Sequence, residues 1–168
     1  GIKDYVDMAA HLEGEPLARA VVNFTPTLLE QIADTSGDSE ERRSLFETLR
    51  KELQAHAAAE EESLYAEMLA DPDLRDEARH SVSEHKEVDD LLGELVEADM
   101  ASGGWLTRFK SLRERYLHHI DEEEEEMFPA AAEAFDRETE TRLGSVFRSR
   151  KPDELERAEA EMPGDARE

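Results

Sequence analysis

His56 and Glu60 recur as His119 and Glu123, and each pair heads the same pattern. The first copy reads His56-Ala-Ala-Ala-Glu60-Glu61-Glu-Ser-Leu64-Tyr65, and the second reads His119-Ile-Asp-Glu-Glu123-Glu124-Glu-Glu-Met127-Phe128. In both, carboxylates stand four and five residues after the imidazole, and an aliphatic and an aromatic residue follow. On a helix, positions i and i+4 lie about 40° apart and one turn along the axis, so each copy projects one nitrogen and one oxygen donor from a single face. Two such helices facing one another would direct two imidazoles and two carboxylates into a shared space, as metal-holding bundles do.

Helices long enough to carry that pattern are delimited by breaker clusters at Thr35-Ser36-Gly37-Asp38-Ser39, Asp71-Pro72-Asp73, Ala101-Ser102-Gly103-Gly104 and Pro129. Between them the spacing predicts four helices, near 16–34, 40–70, 74–100 and 105–128. Short connections favour antiparallel neighbours, so the expected fold is all-α, an up-down antiparallel four-helix bundle. Leu45, Leu49 and Leu53 lie close to the azimuth of His56, and Phe109, Leu112 and Tyr116 lie within about 80° of that of His119. Both His–Glu pairs therefore continue an apolar stripe into the core. A buried carboxylate there is costly unless it is paired or binds a metal. Residues 131–148 read as a further short helix packing through Phe135, Leu143, Val146 and Phe147. The expected organisation is one domain over 1–148, with 149–168 a charged tail or frayed helix.

At 168 residues the chain is long enough for one real core. It is 38% hydrophobic and 38% charged, with only 6% aromatic residues, a balance suited to helices with solvated faces. Acidic residues outnumber basic ones 44 to 20, giving a formal charge of −24 that repels nucleic acid and anionic membranes. The absence of Cys excludes disulfides, iron–sulfur clusters and thiol catalysis. No apolar run approaches the roughly 20 residues of a membrane span and no signal peptide is visible, so the cytoplasm is the expected location. The first residue is Gly rather than Met, which leaves a trimmed native start open. Nothing resembles a nucleophile–base pair, a phosphate-binding Gly loop or a basic aromatic surface.

The remaining histidines differ. His85 shares its azimuth, within about 60°, with Val82, Val88, Leu92 and Val96, which makes it the natural further ligand. His118 lies about 100° from His119 and reads as a flank, while His80, about 140° from His85, reads as solvent-facing. His11 lies in an N-terminal stretch of undetermined structure. Glu77-Ala-Arg-His80 is a single match to the Glu-x-x-His of ferritin-like di-metal bundles, against a repeated His-x-x-x-Glu order elsewhere, and is treated as chance. Within Asp121–Glu126, Glu123 and then Glu126 are the residues expected to point inward.

His56-x-x-x-Glu60-Glu61, Glu84-His85 and His119-x-x-x-Glu123-Glu124, followed by Met127-Phe128-Pro129, resemble the hemerythrin-like (HHE cation-binding) domain over roughly residues 40–130. The resemblance implies a four-helix bundle with a non-haem di-iron centre, in which Glu60 and Glu123 would bridge the irons and His56, His85 and His119 would be terminal ligands. The chain departs from the family pattern in the first helix, where Val22 or Asn23 stands at the position of the usual His and Pro26 interrupts the segment or opens a helix capped by Thr25. Ser81 stands where some members carry a second third-helix His. Three completions stay open: a di-iron site finished by water or His11, a mononuclear site, or a degenerate bundle that binds metal weakly.

The expected function is a non-haem iron protein that binds or reacts with O2, peroxide or NO, because open coordination positions are what such ligands require. Tyr65 and Tyr116 are candidates for supporting or redox roles beside plain core packing. The alternatives are an iron storage or sensing bundle read by a protein partner of unknown kind, and a metal-free structural bundle. No catalytic residue is assigned.

Overall fold

In a computed structural model the structure describes residues 25–35 and 39–160. Val22, Asn23 and His11, on which the first-helix expectations turn, lie outside the described residues. Within them the chain is helical and has no strand: α1 (Thr25–Asp34), α2 (Glu40–Glu60), α3 (Ala66–Ala70), α4 (Arg75–Glu97), α5 (Gly103–Glu122), α6 (Phe128–Ala134) and α7 (Arg137–Ala160). Two five-residue π-helical turns, Glu61–Tyr65 and Glu123–Met127, join α2 to α3 and α5 to α6.

Local sequence explains the boundaries. Ser39 caps α2, its hydroxyl accepting from the Arg42 amide at 3.1 Å, and Glu40 and Glu41 favour the positive end of the helix dipole. Ser102 caps α5 in the same way through the Trp105 amide at 3.1 Å. Pro26 falls in the first turn of α1, where its missing N–H costs nothing. Pro129, expected to end its helix, instead stands in the first turn of α6, directly after a π turn that has already interrupted the α-type ladder.

Cross-helix contacts fix the directions. Gln54 reaches Asp89 and Glu61 reaches His85, so α4 runs antiparallel to α2. Glu94–Arg108 and Glu87–Arg115 make it antiparallel to α5 as well. Leu29 and Ile32 of α1 join a cluster built from Phe46, Leu49 and Leu53 of α2, Val88, Leu92 and Leu95 of α4, and Trp105, Phe109, Leu112 and Tyr116 of α5. A second cluster gathers Leu64, Tyr65, Met68, Leu74, Met127 and Leu143. Along α2, α4 and α5 the residues lying between these two apolar regions are His56 and Glu60, Glu84 and His85, and His119 and Glu123. The fold thus sandwiches a polar layer between two dry ones. Among the described residues no helix is long and apolar enough to cross a membrane.

The C-terminal segment corrects the sequence reading. In place of a short helix over 131–148, α7 is one helix from Arg137 to Ala160, so that residues 149–160, expected as a charged tail or frayed helix, continue it, and Phe135 caps the end of α6. It packs antiparallel along α2, the π turn and α3: Arg142 pairs with Glu67, Arg150 with Glu62, and Lys151 with Glu52. Near its end the buried Arg50 guanidinium donates to the carbonyl of Ala158 at 3.0 Å. Beyond Phe147 the buried residues of this helix are Glu154 and Ala158, with no large apolar side chain among them, which is why composition hid its end.

Removing residues 149–168 would leave the Arg50 guanidinium without that carbonyl and uncover α2. Loss of one buried charged-group partner costs about 1–3 kcal/mol, and each kcal/mol lowers Tm by about 2–4 °C at this chain size. We expect thermal unfolding to fall by about 2–12 °C. An unchanged Tm would mean that the segment is a tail after all.

Candidate metal centre

Helix α2 delivers His56 and Glu60 to the polar layer, α4 delivers Glu84 and His85, and α5 delivers His119, with Glu123 on the π turn that follows. One ligand atom each from Glu60, His85, His119 and Glu123 lies within 4.8 Å of the other three, and all four residues are buried. His56 stands at the side of this group, its Nε2 2.9 Å from Glu60 Oε1. Of the five residues singled out by spacing, four therefore converge on one point and the fifth touches them through a carboxylate.

The two rings at the centre face each other, with His85 Nε2 and His119 Nε2 3.0 Å apart. Their other nitrogens are committed: His85 Nδ1 lies 3.0 Å from Glu61 Oε1, and His119 Nδ1 lies 2.8 Å from Glu84 Oε2. A carboxylate only accepts, so both Nδ1 atoms carry a proton and both Nε2 atoms face the same place, where either one shared proton or a metal ion must lie between them. Two opposed lone pairs repel unless a cation lies between them. Glu60 makes the same demand, because both of its oxygens are buried without a hydrogen bond of good geometry. Imidazole nitrogens with carboxylate oxygens, backed by carboxylates on the far ring nitrogens, are the donor set and support that first-row divalent metals take. The residues fit an iron centre.

Without a metal, protons answer the same electrostatics. Burial by itself would lower the pKa of His85, but Glu60 and Glu61 overcome it and push it up to about 9. Burial also acts against the Glu60 carboxylate, yet His56 and His85 hold its pKa below the ordinary carboxylate range. Glu123, buried beside the negative Glu60, is pushed up to about 7. The layer favours positive charge, which His85 supplies by taking a proton where no metal is bound.

The π turns aim the neighbours. On an unbroken α-helix Tyr65 would lie about 140° from Glu60; one extra residue in the turn removes roughly 100° and brings Tyr65 to the same side. Its hydroxyl accordingly donates to Glu123 Oε1, and its ring stacks on His85 with centroids 5.3 Å apart. The corresponding rotation explains why Glu126, expected inward, is exposed. Phe147 of α7 packs edge-on against His56 at 5.5 Å, at a flank for which the sequence offered no candidate. Ser81 is buried against Met127, its hydroxyl 3.4 Å from the sulfur. Tyr116 is buried 6.3 Å from the His119 ring centroid. His80 is exposed, as its azimuth predicts, and His118, expected at the flank of the site, is exposed as well.

A cleft of about 480 Å³ opens between α2 and α4 and reaches His56, Glu61, His85 and Tyr116. Glu61 and Glu84, the residues that hold the two rings, were not among the expected site residues, although Glu84-His85 and Glu60-Glu61 place them next to those that were.

Three comparisons bear on this arrangement. The sequence profile of the hemerythrin HHE cation-binding domain matches residues 19–131. A crystal structure of a hemerythrin HHE cation-binding domain-containing protein from Mycobacterium kansasii is similar with a TM-score of 0.74 and 26% identity, covering 90% of this chain and 92% of that one. No curated protein matches the sequence significantly.

Glu61 is half-buried and holds His85 without belonging to the central four, so its loss isolates ring orientation. Glu61→Ala is expected to weaken metal affinity about 10–100-fold with helical content unchanged. Titration of both proteins with ferrous iron under anaerobic conditions measures this, and equal affinities would remove Glu61 from the account.

Proposed function

Because the chain belongs to the hemerythrin HHE cation-binding domain family, we propose that it is a non-haem iron protein whose centre binds or reacts with a small oxidant such as O2, peroxide or NO. The observation that carries this reading is the 3.0 Å approach of His85 Nε2 and His119 Nε2 with both Nδ1 atoms already committed. His56, His85 and His119, with Glu60 and Glu123, would hold the iron. The helices around them form the family's up-down four-helix bundle, with the segment containing α1 as its first helix.

Bound iron would supply the redox change and the open coordination position that a small oxidant needs. The chain supplies the rest. Glu61 and Glu84 keep the two rings in the tautomer that presents Nε2. Tyr65 holds a hydroxyl proton on Glu123; its burial, followed by the charges of Glu123 and Glu60, raises its pKa well above the usual phenol value, so the proton stays in place. The apolar clusters on either side keep bulk water from the polar layer, while the cleft between α2 and α4 gives a diatomic or peroxide ligand a route to His56 and His85. A formal charge of −24 suits a cytoplasmic protein with no nucleic-acid or membrane partner.

The test is iron per chain in protein grown with iron and purified without chelator, followed by exposure to O2, peroxide and NO. We expect close to two irons in the wild type, nearly none in His85→Ala/His119→Ala, and an optical change on adding at least one oxidant. About one iron would make the centre mononuclear. No iron after anaerobic reconstitution would refute the reading. Bound iron that raises Tm but responds to none of the oxidants would favour storage or sensing.

A further inference from the structure

Among the described residues the spacing of the two inner pairs, a His followed four residues later by Glu, recurs as His80–Glu84 on α4 and His118–Glu122 on α5. These pairs meet on the outer side of the α4–α5 interface. His80, Glu84 and Glu122 each bring one ligand atom within 4.8 Å of the other two. His80 Nε2 lies 3.3 Å from Glu122 Oε2 and 3.6 Å from Glu84 Oε1, and His118 Nε2 lies 3.4 Å from the other Glu122 oxygen.

Exposed histidines beside acids are common as plain ion pairs, but Glu84 sets this cluster apart. Its side chain is only 1% exposed and its Oε1 is buried without a hydrogen bond of good geometry, aimed into the cluster. The opposite oxygen, Oε2, accepts from His119 Nδ1 in the inner layer. Arg115 approaches Oε1 at 3.2 Å but is also held by Glu87, 2.7 Å from its Nε, so it keeps a carboxylate if a cation takes its place. The acidic run Asp121–Glu126 around Glu122 raises the local concentration of cations.

We propose that His80, Glu84 and Glu122, with His118 beside them, form a second, peripheral site for a first-row divalent cation. One imidazole and two carboxylates, with a second imidazole in reach and open water-facing positions, suit zinc, copper or ferrous iron better than calcium or magnesium. Glu84 is common to both places: one oxygen faces the surface cation while the other orients a ring of the inner centre. Apart from the shared Glu84 the surface site rests on its own residues, and it does not depend on which oxidant, if any, the inner centre handles.

Zinc is the probe, because it is redox-inert and takes nitrogen and oxygen ligands. The metal-stripped full chain is dialysed to equilibrium against low-micromolar zinc, and bound metal is measured by elemental analysis for the wild type and His80→Ala/Glu122→Gln. Both substituted residues face solvent at least in part, and circular dichroism checks that the helices persist. The expected result is one zinc ion fewer per chain in the variant, with the remaining zinc retained. An equal zinc count in the two proteins overturns the proposal, as does loss of all bound zinc in a variant that keeps its helices, since the cluster would then not be a separate site.

Discussion

The structure is organised around the opposition of two imidazoles. His85 and His119 turn Nε2 toward Nε2 at 3.0 Å, while Glu61 and Glu84 occupy the far nitrogens. That contact is unfavourable between neutral rings and favourable around a cation. The buried oxygens of Glu60, which find no well-aligned donor, add to the same demand. Removing one partner from such a buried charged group typically destabilises strongly, so the layer is organised for positive charge or it is a liability to the fold.

The rest of the chain keeps that layer in place. The cluster including Leu49, Leu92 and Leu112 on one side and the cluster including Leu64, Met68 and Met127 on the other hold α2, α4 and α5 at fixed azimuths. The π turns then break the α period where each Glu is delivered, re-aiming Tyr65 onto Glu123. Such turns are locally less favourable than continued α-helix and persist because packing over-determines them. Helix α7 lies outside the matched domain profile, yet it seals the flank of His56 with Phe147 and anchors itself through Arg50.

Much of this was legible in the sequence, and the parts that were not share a cause. The regular period of 3.6 residues placed His56, Glu60, His85, His119 and Glu123 toward the core and His80 outside, and the structure has each of them on that side. It failed at Glu126 because a π turn shifts every later azimuth, and no residue type announces such a turn. Glu61 and Glu84 were underrated because a carboxylate beside an inward His reads as a flank until the ring's second nitrogen is considered. The last turns of α7 were hidden because Glu154 and Ala158 are buried there without a large apolar side chain to signal it. At the first helix, the questions raised by Val22, Asn23 and His11 fall outside the described residues.

Iron-edge anomalous diffraction from crystals of the iron-loaded chain tests the central claim most directly. The account predicts the strongest anomalous density enclosed by Glu60, His85, His119 and Glu123, within bonding distance of both Nε2 atoms. Iron density elsewhere on the molecule with none between the two imidazoles, in crystals whose iron content is confirmed, would contradict it.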